Sequence, residues 1–211
     1  MRKNGDLRFT ATWSSNSSGV ESTTEPRVVR PAALTRQSTR PYSSIVAVTE
    51  ARACSTPELF DDHVAVNLKS PFFLMQAVIH DMQRRGEPGT IVNVITMTSY
   101  GGQPYLAPYA ASKAGLVGLT KNAAHAHRWD RIRVNGVNIG WTDTEGEDAI
   151  QRRFHGAGDD WRELAGKSLP MGRLGQADDI AALVVLLLSE RSGVVTGSIV
   201  DWDQEVLGAR D

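Results

Sequence analysis

A chain of 211 residues, 41% hydrophobic and 22% charged, is long enough to build one domain around a sizeable core. Its 23 Lys+Arg against 24 Asp+Glu leave a net charge of -1, without the basic excess that phosphate-backbone binding demands, so nucleic acid is not an expected partner. The longest apolar run, Ile180 to Leu188, falls far short of the roughly 20 residues that span a bilayer, and the N-terminus lacks an apolar signal core; the expectation is a cytoplasmic protein without a membrane contact.

Residues 1–55 form a first region, rich in Ser, Thr and Arg and without a period of 2.0 or 3.6, that reads as irregular chain. Cys54 is the single cysteine, which excludes an internal disulfide and a thiolate cage. From Thr56 the pattern changes: helix-like and strand-like segments alternate across residues 56–211, the signature of a parallel α/β sheet. Thr56-Pro57-Glu58 supplies an N-cap, a first-turn proline and an early acid. The spacing of Val64, Leu68, Phe72, Met75, Ile79 and Met82 then predicts one continuous helix to about Arg85, stopped by Gly86-Glu87-Pro88-Gly89. Thr90 to Ile95 reads as a buried strand, Ala107 to about Trp129 as a long Ala-rich helix, and Arg131 to Asn138 as the next strand. Gln176 to Glu190 reads as a helix with acids at its positive end, and Thr196 to Asp201 as a last strand.

The segment that carries chemistry is Tyr109-Ala110-Ala111-Ser112-Lys113. Residues four apart on a helix share a face, so the phenol and the ammonium can meet at one site. A nearby ammonium favours the phenolate and brings tyrosine toward acid/base use at neutral pH. A Tyr-x-x-x-Lys spacing alone also describes a surface lysine beside a helical tyrosine, so its surroundings have to decide. His125 and His127, two apart on a helix, face different ways, and no metal site is expected.

Those surroundings are specific. Strand Ile91 to Ile95, then Thr96-Met97-Thr98-Ser99, a Gly101-Gly102 turn and Tyr109-x-x-x-Lys113 resemble the short-chain dehydrogenase/reductase family, as do Asn67-Leu68, Arg133-Val134-Asn135, and Gly140 with Thr144, all in order and spacing. The resemblance covers about Thr56 to the C-terminus. It implies a Rossmann-like doubly wound parallel sheet and hydride transfer between NAD or NADP and a carbonyl or secondary-alcohol substrate. It implies Tyr109 as the general acid/base, Lys113 as the group that lowers its pKa and holds the nicotinamide ribose, and Asn67 as the helix-bending residue of the proton relay. The alternative for Asn67 is a helix-interior residue bonding only to backbone. The family's serine falls at Thr96, which keeps the hydroxyl, with Ser99 as the fallback. Gly140 and Thr144 stand in the family's cofactor-contacting Pro-Gly-x-x-x-Thr, where Ile139 replaces the proline.

Trp141, Phe154, His155 and Trp161 fall in the family's variable lid, with a substrate role or simple packing both open. The family's helices matching Pro57–Arg85 and Ala107–Trp129 form a four-helix interface, which implies a homodimer or homotetramer, with Ala110, Ala111, Ala114, Gly115 and Gly118 small enough for close approach. The Gly-rich turn that cradles the pyrophosphate in this family, and its Asn-Asn-Ala-Gly turn, do not occur in residues 1–55, so the sheet is expected to be N-terminally incomplete. Decoding Gln37 to Val48 in a shifted frame permits Val-Asp-Ala-Ala-Leu-Leu-Val-Asn-Ser-Gly-Gly, close to the family's strand and turn, which raises a frameshift against an unrelated extension. With half a dinucleotide site, the alternative to an enzyme is an inactive remnant that keeps only interaction surfaces, and such a chain is expected to be aggregation-prone because strand Ile91–Ile95 would lose a neighbour.

Overall fold

The computed structural model describes residues 56–101 and 106–209; Cys54 and the expectations for residues 1–55 lie outside them. Helix α1 (Pro57–Val64) starts as the sequence predicts, Thr56 Oγ1 accepting from Leu59 N at 3.3 Å. The expected continuous helix is broken, however, by a π-helical turn over Ala65–Lys69 before α2 (Ser70–Arg85) resumes. Pro71 is the physical reason: it has no N–H to give to the Asn67 carbonyl four residues back, and its ring crowds that carbonyl. Phe72, expected on the buried stripe, is 42% exposed and packs edge-to-face on Phe73, whereas Met75, Ile79 and Met82 are buried as expected. Gly86, at φ 69° in the left-handed region, closes α2 with its N–H on the Met82 and Gln83 carbonyls.

Strands β1 (Gly89–Thr96), β2 (Ile132–Ile139) and β5 (Ile199–Trp202) form a parallel sheet in the order β1-β2-β5. Among the described residues β1 has a strand neighbour on one side only. Helix α3 (Ala107–Ala126) crosses from β1 to β2; it ends earlier than Trp129, which lies in the 3₁₀ turn Arg128–Asp130, and Arg131 belongs to the turn at φ 61° rather than to the strand. Side-chain parity gives the layers. Asn93 on β1 reaches Thr120 on α3 and Met75 on α2, while Thr90 on the other face reaches the Leu187 carbonyl of α6 (Ala177–Leu188). Helices therefore cover both faces, the doubly wound Rossmann-like arrangement. The core between α2, α3 and the sheet is built from Met75, Ile79, Met82, Ala123, Ala124, Ile132 and Val134.

Between β2 and β5 the chain makes β3 (Thr142–Asp143), α4 (Glu145–Phe154), α5 (Trp161–Ser168) and β4 (Gly175–Gln176) before α6. Strands β3 and β4 pair in parallel, Thr142 opposite Gly175 and Asp143 opposite Gln176, so α4 and α5 form an insertion closed at its base. Trp161, Ala165 and Leu174 make its own small core.

Candidate active site

In β1 and β2 the residues Thr96 and Ile139 are partners, so Gly140 follows β2 at the same carboxyl-end rim on which Thr96 stands. Ligands of open α/β sheets bind beyond these strand ends. The Gly140 N–H donates to the Trp202 carbonyl at 2.9 Å, and a Cβ there would lie 2.0 Å from Asp203 Oδ1, so the Asp203 side chain occupies the space that any larger residue at 140 would need. The Thr96 side chain is buried, and its hydroxyl accepts from Thr98 N at 3.3 Å, starting the 3₁₀ turn Met97–Tyr100. That turn packs on α3, which carries Tyr109 in its first turn.

Tyr109 and Lys113 project from one face of α3 as their spacing demands, the Lys113 ammonium standing 5.9 Å from the centre of the Tyr109 ring, within reach of a cation–π contact. Lys113 Nζ donates to the Val94 carbonyl at 3.1 Å, and burial holds its pKa below the ordinary lysine value. An ammonium carries three hydrogens; among the described groups one is given to Val94.

Asn67 is buried on the π turn. Its Nδ2 donates to Ser112 Oγ at 3.1 Å, and Ser112 Oγ in turn donates to the Tyr109 carbonyl at 2.8 Å. The structure therefore joins Asn67 to the Tyr109–Lys113 turn through side chains, not only to backbone. Ser99 Oγ instead donates to Asn138 Oδ1 at 3.4 Å. Asn138 Nδ2 donates to Asp201 Oδ1, and Tyr100 donates its hydroxyl to the same carboxylate at 3.0 Å, tying the turn after Thr96 to β5.

Thr144 is the N-cap of α4, its Oγ1 accepting from Glu147 N at 3.1 Å. Accepting that bond leaves the hydroxyl hydrogen free to donate outward. Of the lid aromatics, Trp161 is buried and stacks on half-exposed Trp141 at 6.4 Å between centroids; His155 is exposed at the end of α4. Asp148 ties the insertion together, accepting from Trp161 Nε1 at 2.7 Å, Arg152 Nε at 2.9 Å and Arg162 at 2.9 Å. The indole and guanidinium donors lower its carboxyl to a pKa of about 2. His127 pairs with Asp130 at 2.9 Å. No described helix is long and apolar enough to cross a membrane.

Sequence reading missed two groups. Thr144-Glu145-Gly146-Glu147 is a Thr-x-x-Glu capping signal that announces α4, and His63, four residues before Asn67, is buried at 5% exposure against Tyr109.

Residues 44–204 match the family described as "Enoyl-(Acyl carrier protein) reductase". The chain belongs to the short-chain dehydrogenase/reductase family. It is 34% identical over 146 residues to the 3-oxoacyl-[acyl-carrier-protein] reductase of Thermotoga maritima, covering 69% of this chain and 56% of that protein. It is 34% identical to the carbonyl reductase [NADPH] 2 of Sus scrofa, covering 79% of this chain and 66% of that protein. The structure of 4-hydroxyisoleucine dehydrogenase complexed with NADH superposes with a TM-score of 0.65 at 26% identity, covering 74% of this chain and 62% of that one. The chain thus spans about 56–66% of the lengths of these relatives.

Proposed function

We propose that this chain carries the reacting half of an NAD- or NADP-dependent oxidoreductase that interconverts a small-molecule carbonyl and a secondary alcohol. The observation that carries the reading is the Tyr109–Lys113 face, tied through Lys113 to the Val94 carbonyl of the strand that ends in Thr96 and joined by hydrogen bonds to Asn67. The relatives named as a 3-oxoacyl reductase and a carbonyl reductase support a carbonyl substrate, and the NADH complex and the NADPH in the second name support a nicotinamide cofactor.

The residues present fit that cofactor. Lys113 keeps hydrogens to donate to ribose hydroxyls, and the Thr144 hydroxyl keeps one to donate from the positive end of α4. Tyr109 and Lys113 would hold the ribose, and Gly140 and Thr144 the carboxamide and phosphate side. When bound, the nicotinamide supplies or accepts the hydride. In the reducing direction the Thr96 hydroxyl donates to the substrate oxygen and orients it, and Tyr109 delivers its phenolic proton to that oxygen as negative charge develops. Lys113, an ammonium beside the ring, stabilises the phenolate left behind. Asn67 and Ser112 fix the helical turn on which Tyr109 and Lys113 stand.

The test is cofactor-linked reduction of a carbonyl panel, followed by loss of absorbance of NADH or NADPH. Tyr109→Phe should abolish turnover while its circular dichroism matches that of the unsubstituted chain; undiminished turnover refutes the assignment. Calorimetric titration with NADH and NADPH separates this reading from an inactive remnant, since binding near 10⁻⁶ M excludes the latter.

A second copy of the chain is the proposed partner. On α3 the small residues Ala111, Ala114 and Gly118 are exposed, whereas Gly115 faces its own chain, where an added Cβ would lie 2.9 Å from Leu68. Exposed Phe72, Phe73 and Leu74 on α2 extend the apolar surface available for such an interface.

A further inference from the structure

His63 is a buried titratable group that the proposed chemistry does not use. It lies on α1, one turn before Asn67, and its ring meets the Tyr109 ring edge-on, with 5.9 Å between centroids and 67° between planes. Its Nδ1 lies 3.5 Å from Asn67 Nδ2. The direction of that contact can be worked out from the neighbouring bonds. The Ser112 hydroxyl spends its hydrogen on the Tyr109 carbonyl, so toward Asn67 it can only accept, and the Asn67 group that faces it is the NH₂. The second hydrogen of that NH₂ is the one that faces His63. The imidazole Nδ1 must then be a bare acceptor, with the proton on Nε2.

We propose that His63 is a positioning residue of this site, its Nδ1 holding the Asn67 amide and its ring edge holding the Tyr109 ring. The ionisable groups around it are Asp62 on its own helix, Tyr109 on α3, and Lys113 one turn further along α3. Burial lowers the pKa of His63 below the ordinary histidine value, against the opposing pull of Asp62, so the ring stays uncharged at pH 7 and keeps the acceptor that Asn67 needs. A single side chain on α1 thus braces both the π turn and the first turn of α3. This rests on the functional reading above for the consequence to turnover, but the bracing itself does not.

The experiment has two arms on the full chain. In the first, long-range ¹⁵N–¹H spectra of the imidazoles at pH 7 report the tautomer; the Nε2–H form is expected, and an Nδ1–H form or an imidazolium overturns the proposal. In the second, His63→Phe keeps the ring edge and loses the acceptor, while His63→Asn places an amide oxygen near the Nδ1 position. The Asn67 side-chain amide resonances should move in His63→Phe and return toward their original positions in His63→Asn; resonances unmoved by His63→Phe overturn it. If the unsubstituted chain turns over a carbonyl, kcat should fall about tenfold in His63→Phe with KM little changed, and recover in His63→Asn. Unaltered kcat in His63→Phe contradicts the positioning role. Absence of turnover in the unsubstituted chain counts against the function proposed above and leaves the tautomer and resonance shifts to decide on His63. The tautomer is read without substitution, so a variant that fails to fold does not silence the test.

Discussion

The spacing between β1, which ends in Thr96, and α3, which carries Tyr109 in its first turn, is held by a buried polar pair whose two members should respond unequally to removal. Asn93 Nδ2 donates to Thr120 Oγ1 at 2.8 Å and to Met75 Sδ at 3.2 Å, and Thr120 Oγ1 donates to the Leu116 carbonyl at 2.7 Å. Thr120→Val removes the acceptor and leaves a buried amide whose remaining partner among the described residues is a weak thioether, which costs about 1–3 kcal/mol. Asn93→Leu is different. The leucine has the branching of the amide, the Thr120 hydroxyl still donates to Leu116, and the loss of about 1 kcal/mol of hydrogen bond is offset by a similar gain from burying apolar surface. The double variant replaces both partners by apolar groups and should be more stable than Thr120→Val alone, so the two substitutions are coupled. Urea unfolding with a common m value measures all four corners of the cycle. Thr120→Val at least as stable as Asn93→Leu refutes the reasoning, because it shows that the amide is not stranded by the loss of the hydroxyl.

The insertion should respond to Asp148 and to acid. Its folded pKa of about 2 lies below the unfolded value, so its contribution is full above about pH 4 and is lost as the pH falls toward 2. Near-UV circular dichroism of the Trp141–Trp161 pair should change across that window, and Asp148→Asn should show the changed spectrum already at pH 7; a spectrum equal to that of the unsubstituted chain refutes the lock. For assembly, sedimentation velocity should show a dimer or tetramer that Ala114→Glu or Gly118→Glu dissociates, since a carboxylate there would be buried without a partner. A monomeric unsubstituted chain, or an assembly unmoved by both variants, removes the proposed interface.

What could be seen in the sequence followed from local periodicity. The β-branched run before Thr96, the Ala-rich stretch around Tyr109 and Lys113, and the acidic start of α6 each fold as their patterns imply, because the first is a strand of the sheet and the two helices pack on its opposite faces. Boundaries were less legible. Arg131 adopts a left-handed turn that nothing in its own side chain demands, and Gln176 pairs in β4 with a strand partner 33 residues earlier, at Asp143. The hydrogen bonds that converge on Asp148 join two helices: Arg152 follows it at helical spacing, but no spacing rule brings in Trp161 and Arg162 from the next helix. Thr144 was read from the sequence only as a cofactor contact, and its capping signal went unread; in the structure its hydroxyl accepts from the Glu147 N–H at the start of α4.

The break between α1 and α2 shows how a local rule and a site can share one residue. A regular helix from Pro57 to Arg85 would keep Val64, Leu68 and Phe72 in phase with Met75, and it would close every carbonyl with an N–H four residues on. Pro71 forbids that closure at Asn67. The turn widens over Ala65–Lys69, the Ser70 hydroxyl donates to the Ala65 carbonyl at 2.8 Å, and the stripe changes phase, so Phe72 emerges while His63 and Asn67 remain buried together. The same widening leaves Asn67 with a main-chain carbonyl that residue 71 cannot pair and an amide that points across to Ser112. A polar residue in a helix interior ordinarily competes with the helix; here the proline has already taken the competing bond away, and the amide is free to be spent on the turn that carries Tyr109 and Lys113.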